Sequence, residues 1–215
     1  MTTPDDERMG VNAERTRASE KPRANAECYP DPVPSGRAPI QTDEPSVLVR
    51  PPREARSQTL PSGWFNPMPG GYVGGYAADT GLDIAGFRLE VFAVAAGTVV
   101  YAEPGHTGWQ GPGNTNLSVL IELDEPVAWR GRMITHAWYA HLSELAFEQP
   151  EHGPRQRHVV GGTKLGTSGF GNGSPHLHLG LLLDDGVEQK WGDYLPFDQV
   201  AELLGPYRLR DRLPR

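Results

Sequence analysis

The chain of 215 residues has one cysteine, a formal net charge of −7, 26 glycines and 21 prolines. A single cysteine excludes an internal disulfide framework and a cysteine-based zinc knuckle. Residues 61–205 hold sixteen acidic and seven basic side chains, which repel phosphate backbones, so nucleic acid is not expected as a partner. No apolar run approaches the length of a membrane span, and integral membrane association is not expected.

The first sixty residues mix charged side chains with prolines and hold few large apolar residues. Such a segment cannot bury enough apolar surface to offset the entropy lost on ordering, so residues 1–60 are predicted to be disordered. Residues 1–7 lack the basic start and the apolar core of a secretory signal, so no signal peptide is visible. At the other end, residues 206–215 are predicted to form a basic tail.

Residues 61–205 are predicted to form one β-rich domain, because short apolar runs alternate with glycine-rich and polar connections. Gly97, between the first two runs, predicts a tight hairpin or a bulge. Residues 197–205 form the one convincing helix pattern. The sequence therefore predicts an all-β fold, a compact antiparallel sandwich or barrel with long loops and one short C-terminal helix. The main predicted strands are 90–95, 97–102, 117–123 and 132–142, then two short strands hinged at glycines within 159–166, and finally 174–181.

Two histidines alternate with leucines in the last of these strands. A β-strand points every second side chain to the same face. His176 and His178 are therefore predicted to emerge together, while Leu177 and Leu179 face the other way. Taken alone, such a pair is better explained by hydrogen bonds on a solvated sheet face. Other stretches of the chain favour a functional site.

Three separated stretches resemble the motifs of the lysostaphin-type zinc endopeptidases. Residues 79–83 (Asp-Thr-Gly-Leu-Asp) are similar to the first metal motif, 138–143 (Trp-Tyr-Ala-His-Leu-Ser) to the middle motif, and 161–178 to the final motif, which ends in His-Leu-His. The resemblance extends over roughly residues 72–183 in the order of the family. It implies a duplicated, compact β fold with a narrow groove over a metal. It also implies hydrolysis of peptide cross-links in bacterial cell-wall peptidoglycan, and hence a location in the cell envelope or outside the cell.

The same resemblance implies roles for individual residues. Asp83 and His178 match metal ligands of the family, and His141 and His176 match its two catalytic histidines. Asp79 stands where the family has its first histidine ligand. Because aspartate is itself a competent zinc ligand, the predicted metal site is Asp79, Asp83 and His178, holding Zn²⁺, or Mn²⁺ or another divalent ion.

Two alternatives from other classes remain. The first is a catalytically inactive cell-envelope module that binds peptidoglycan or regulates another cell-wall hydrolase. The second is a sugar-transport phosphocarrier, which can share this kind of β fold and a histidine pair. A phosphocarrier needs a phosphate-accepting histidine and no metal, and the carboxylates of Asp79 and Asp83 argue against it.

The remaining histidines and several aromatic residues are assigned lesser roles. His136 precedes His141 by five positions, an odd spacing that predicts the opposite strand face and a structural role. Three histidines lie in polar loops and are predicted to be solvated: His106, His152 and His158. Four aromatic residues are candidates either for packing or for the wall of a substrate groove: Tyr72, Tyr76, Trp109 and Trp138.

Overall fold

The structure is a computed structural model that describes residues 57–75, 79–107 and 113–215. The chain divides into two units, Met1–Leu48 and Val49–Arg215, and all the described residues belong to the second. Of the segment 1–60 that was predicted to be disordered, residues 1–56 lie outside the described residues. Within the described ranges, no helix has both the length and the apolar character required to cross a membrane.

The described residues form nine strands, all paired antiparallel, with a short 3₁₀ helix and one α-helix near the C-terminal end. The elements are β1 (Tyr72–Gly74), β2 (Leu82–Ala85), β3 (Glu90–Phe92), β4 (Gly97–Pro104), β5 (Leu117–Trp129), β6 (Arg132–Leu145), β7 (His158–Val159), β8 (Lys164–Gly171), β9 (Ser174–Leu183), the 3₁₀ helix Trp191–Asp193 and α1 (Phe197–Leu204). One sheet runs in the order β1-β2-β9-β8-β6-β5-β4-β7, with β3 paired to β8. The predicted all-β antiparallel fold and its short C-terminal helix are confirmed.

The predicted hairpin around Gly97 is wrong, and the bulge-like register shift of β4 falls between Val99 and Tyr101 rather than at Gly97. β3 pairs with β8, where Val91 lies opposite Gly166, and β4 pairs with β5 and β7. Gly97 is required for a different reason, because a Cβ at this position would collide with the backbone carbonyl of Glu122 on β5. A glycine within a strand marks either a bend or a close backbone approach, and here the cause is the close approach.

The main hydrophobic core lies on one face of the sheet, and a smaller apolar cluster lies on the other. β9 shows the alternation, because Leu177 and Leu179 are buried in the main core while Leu182 belongs to the smaller cluster. His176 and His178 are consequently on the face of the smaller cluster, and their predicted common face is confirmed. The smaller cluster consists of Tyr101, Leu120, Trp138, Ala140, Leu182 and Tyr194.

Residues beyond both predicted bounds of the domain pack against it. The backbone N–H of Ser57 donates to the carbonyl of Gly162, and Leu60 is buried in the main core. At the other end, Leu213 is fully buried in the same core. The packed structure is therefore wider than the predicted range 61–205, and it includes much of the segment predicted as a basic tail.

Truncating Leu60 tests whether the residues before position 61 stabilise the domain. Because Leu60 is buried in the main core, Leu60→Ala is expected to lower the free energy of unfolding by about 2–5 kcal/mol. Leu209→Ala is the matched control, since this leucine is 55% exposed and surface substitutions change stability by about 0.5 kcal/mol or less. Denaturant unfolding measures both variants. Equal midpoints for the two would contradict the packing of Leu60.

Candidate functional site

The register of β2 and β9 places Asp83 beside His178. Asp83 lies directly opposite His178 in this antiparallel pair, and Ala85 lies opposite His176. Side chains of directly opposed residues lie on the same face, and Oδ1 of Asp83 is 2.8 Å from Nδ1 of His178. Nε2 of His176 is 3.5 Å from the same oxygen. Residues 95 positions apart in the sequence thus meet through strand pairing.

Asp79 lies just before β2 and is held by two backbone hydrogen bonds. Its carbonyl accepts a hydrogen bond from the N–H of Phe197, the first residue of α1, at 3.2 Å. Its Oδ1 accepts another from the N–H of Thr80 at 2.8 Å. The potential donor atoms of Asp79, Asp83 and His178 all lie within 4.8 Å of one another. The structure therefore brings the three predicted metal ligands together, and Asp79 also accepts a hydrogen bond from the backbone at the bend before β2.

These three side chains fit a divalent metal ion. Two carboxylates and one imidazole form a donor set that Zn²⁺ and related ions accept in proteins, and the two negative charges balance the charge of the ion. Nε2 of His176 and Nε2 of His178 are buried and have no hydrogen-bond partner within the described part of the chain. A buried nitrogen without a partner is costly unless a ligand satisfies it. Asp79, Asp83 and His178 are hereafter called the candidate metal centre.

His141 joins this group because of its backbone conformation. Its φ is 62°, in the left-handed region, and the alternation of β6 breaks at this point. Tyr139 and Leu142 are both buried in the main core, although an odd number of positions separates them. His141 consequently lines the same cleft as Trp138. A Cβ on Gly171 would lie 2.5 Å from the ring of His141, so glycine at this position makes room for the imidazole.

The prediction that His136 and His141 lie on opposite faces is wrong, because of the left-handed backbone conformation at His141. His136 is directly opposite Leu182 of β9, and Leu182 belongs to the smaller cluster on the cleft face. Counting residues by twos fails because the left-handed conformation at His141 breaks the alternation. His136 is buried, its Nδ1 lies 2.9 Å from Oγ1 of Thr135, and it is not among the described residues that line the cleft.

Both candidate catalytic histidines offer a nitrogen that can accept a proton. Burial, reinforced by the neighbouring His176 and His178, lowers the pKa of His141 to about 4, so its imidazole is neutral at pH 7. Nδ1 of His141 is buried without a hydrogen-bond partner among the described residues. Nδ1 of His176 lies 3.0 Å from the carbonyl oxygen of Ser174. Because a carbonyl only accepts, this contact places the proton of His176 on Nδ1 and leaves the lone pair on Nε2.

The two aspartates have opposite tendencies to ionise. Burial would raise the pKa of Asp83, but the hydrogen bond from His178 and the charges of the three nearby histidines outweigh burial and hold the pKa below its usual range. Burial raises the pKa of Asp79, with the charge of His178 opposing the change and that of Asp83 reinforcing it. A divalent cation between them would favour the ionised form of both.

The five predicted site residues line one cleft of about 550 Å³, which sequence reasoning describes only in part. Trp138, a candidate groove residue, lines it with its ring edge-on to His178 at 5.5 Å. Tyr72 is exposed and is not among the described lining residues, and Tyr76 and Trp109 lie outside the described residues. The lining residues that the sequence did not predict lie in the connections before β2 and β9, at the start of β9 and in the segment after it: Thr80, Asn172, Ser174, Gln189, Trp191 and Tyr194.

The loop histidines lie outside the cleft lining in the described residues. His106 is only partly exposed, since it stacks on Tyr101 at 3.8 Å and its Nε2 lies 2.9 Å from Oε1 of Glu103. Glu103, His106 and Glu151 form a second group of potential metal donors. Oε1 of Glu103 already accepts a hydrogen bond from the N–H of Glu151. His152 and His158 are exposed, as predicted.

Fold and site together define an all-β protein with an Asp-Asp-His group able to hold a metal ion in a cleft. No protein-family model and no curated protein matches the chain. Among solved structures, it is similar to a peptidase M23 from Pseudomonas aeruginosa (19% identity, 73% of this chain, 56% of that chain, TM-score 0.46). It is also similar to the catalytic domain of lysostaphin from Staphylococcus simulans (22% identity, 60% of this chain, 84% of that chain, TM-score 0.39). A third similar structure is a zinc-containing peptidase from Vibrio cholerae (15% identity, 61% of this chain, 37% of that chain, TM-score 0.35).

The alignment spans only about half the length of the Pseudomonas protein. All three TM-scores lie below 0.5 and all three identities below 25%. The function proposed below therefore rests on the side chains of the cleft and on the order of the sequence motifs that supply them.

Proposed function

We propose that this protein is a metal-dependent endopeptidase that hydrolyses peptide cross-links of bacterial cell-wall peptidoglycan. The observation that carries the proposal is the convergence of the candidate metal centre with His141 and His176 in one cleft. The ring centroids of His141 and His176 are 4.9 Å apart, and those of His141 and His178 are 6.4 Å apart. Both proposed catalytic histidines therefore lie next to the proposed ligands.

The chain's own side chains supply proton transfer and charge stabilisation. A divalent ion held by Asp79, Asp83 and His178 would activate water and polarise the scissile carbonyl. No glutamate lines the described part of the cleft, so the proton of the attacking water passes to an imidazole. Nε2 of His176 and Nδ1 of His141 each carry a lone pair for this purpose. One ring accepts the proton and returns it to the leaving amine, and while protonated it offsets the negative charge on the carbonyl oxygen. The other ring accepts a hydrogen bond from the second O–H of the water and so orients it.

Under this proposal, the partner is the peptide portion of peptidoglycan, and the protein acts in the cell envelope or outside the cell. The acidic composition of residues 61–205 disfavours polyanionic partners by charge repulsion. Trp138 and Tyr194 contribute aromatic surface to the cleft, which suits an extended peptide better than a small ion.

The second candidate function is a non-catalytic module that binds peptidoglycan through the same cleft. One observation favours it, because Oδ1 of Asp79 already accepts a hydrogen bond from the N–H of Thr80. If Asp79 acts only as a turn cap, Asp83 and His178 remain as two ligands. Two ligands hold a catalytic zinc ion less well than the usual three.

Metal analysis combined with a digestion assay distinguishes the two functions. The full chain is dialysed, its metal content is measured with and without added Zn²⁺ or Mn²⁺, and it is incubated with purified peptidoglycan. We expect one metal ion per chain and new amino termini in the digest, both lost on chelation and restored by the ion. A chain that binds peptidoglycan without a stoichiometric metal and without releasing peptides would overturn the enzymatic proposal in favour of the binding module.

A further inference from the structure

The cleft continues past the candidate metal centre along β9. The residues of β9 that alternate with the core leucines are His176, His178, Gly180 and Leu182, and Leu182 forms a bridge with Tyr194. The ring of Tyr194 lies over Gly180, where a Cβ would meet it at 2.8 Å, and at about 3.3 Å per residue Gly180 is roughly 7 Å from His178 along the strand. An extended peptide covers this distance in about two residues. The end of the cleft at Tyr194, here called the far end, therefore lies beyond the candidate metal centre.

Trp191 lines the cleft three residues before Tyr194, on a segment whose backbone is anchored by hydrogen bonds. The guanidinium of Arg132 donates a hydrogen bond to the carbonyl of Gly192 at 3.1 Å. The hydroxyl of Tyr194 donates to Oε1 of Gln189 at 3.0 Å. Gly192, the residue after Trp191, is thus tied to β6, and Gln189, two residues before it, also donates to the hydroxyl of Tyr101 on β4 at 2.9 Å. The backbone that carries the indole is therefore anchored and needs little ordering on binding.

The indole of Trp191 lines the cleft and is 64% exposed. Aromatic side chains gain more from burial than most others, so a tryptophan exposed at a cleft on an anchored segment indicates a surface that a ligand covers. Tyr194 lines the same cleft and packs on the strand, because a Cβ on Gly180 would come within 2.8 Å of the tyrosine ring. This end of the cleft is a preformed aromatic wall.

The charge of the cleft limits what this wall can bind. Of the described residues that line the cleft, Asp79 and Asp83 carry carboxylates, and none is a lysine or arginine. Both carboxylates belong to the candidate metal centre. The far end therefore offers aromatic and amide groups, which bind by stacking and hydrogen bonding rather than by ion pairing. An uncharged stretch of extended peptide continuous with the scissile bond fits this surface.

We propose that Trp191 is a substrate-binding residue that stacks on the peptide of the substrate beyond the bond to be cleaved. This inference rests on the proposed function for the identity of the substrate. Contact with Trp191 would make the protein bind long, cross-linked peptides more tightly than short ones. The segment after β9 would then determine the length of the preferred substrate.

The test compares the affinity of full-length protein for two soluble peptidoglycan fragments by calorimetry. The long probe is a cross-linked dimer of stem peptides freed of glycan, and the short probe is the uncross-linked stem peptide. We expect the parent to prefer the dimer, and Trp191→Ala to bind the dimer about tenfold more weakly, as when a central aromatic contact is truncated. The long-over-short preference should vanish in Trp191→Ala and return in Trp191→Phe. Phe87→Ala removes another aromatic side chain, 58% exposed and outside the described cleft lining, and should bind like the parent.

The outcomes separate this inference from the proposed function. If the parent cleaves peptidoglycan while Trp191→Ala binds the dimer as tightly as the parent, the inference is overturned and the enzymatic function stands. If nothing is cleaved but binding of the dimer depends on Trp191, the peptidase proposal fails and the inference stands. Trp191-dependent binding of peptide-free glycan oligosaccharides, with none of the dimer, would overturn the assignment to peptide.

Discussion

His141→Ala and His176→Ala are each expected to lower the rate of peptide hydrolysis by about 10²–10⁴-fold, the usual contribution of a proton-transferring side chain. Neither variant should lose its metal, because the proposed ligands are Asp79, Asp83 and His178. The Nδ1 atoms of the two rings differ in their hydrogen bonding. Nδ1 of His176 donates to the Ser174 carbonyl, whereas Nδ1 of His141 has no partner among the described residues. The measurement is turnover of a peptidoglycan peptide together with metal content for each variant.

Two further variants control this experiment. His178→Ala removes a proposed ligand and should lose activity and metal together. His136→Ala removes a buried histidine that is not among the described residues lining the cleft, so it should keep both. If His176→Ala loses its metal as completely as His178→Ala does, the division of roles within the histidine pair is wrong.

The sequence predicts most of the fold because the signals are local. The alternation of His176 and His178 with leucines predicts β9 and its two faces, and both are found. Asp198 near the start of the predicted helix and Gly205 after it mark α1 at Phe197–Leu204. Strand pairing is less local, and Gly97 shows the difference. A glycine between two apolar runs predicts a turn, but whether a distant strand packs against its backbone is decided by the tertiary fold.

The site was predicted less completely, for two physical reasons. Periodicity assumes one backbone conformation along a strand, and the φ of 62° at His141 reverses the faces assigned to the residues around it. The wall at Trp191 follows β9 in a polar segment without hydrophobic periodicity. Its one signal is the pair of aromatic residues, Trp191 and Tyr194, in otherwise polar surroundings. Their place in the cleft depends on the bridge between Tyr194 and Leu182.

Replacing Asp79 with histidine is expected to tighten Zn²⁺ binding by on the order of tenfold or more and to raise the preference for Zn²⁺ over Mn²⁺. The candidate metal centre has two carboxylates and one imidazole, and oxygen donors favour harder ions, whereas imidazole favours zinc. A second imidazole in place of the Asp79 carboxylate moves the donor set towards zinc. Competition with a chromogenic chelator measures both affinities, without any need for activity.

Asp79→Asn separates the ligand role of this residue from its role in the turn. The asparagine side chain keeps an oxygen that can accept the hydrogen bond from Thr80, which Oδ1 of Asp79 accepts at 2.8 Å. It removes the negative charge that a divalent ion requires. We therefore expect Asp79→Asn to fold like the parent. It should bind Zn²⁺ and Mn²⁺ about 10–100-fold more weakly or worse, because even the loss of a residue that only hydrogen-bonds to a metal ligand weakens metal binding by this factor. If Asp79→Asn binds both ions as tightly as the parent does, Asp79 serves only the turn, and the metal would have to be held by Asp83 and His178 without it.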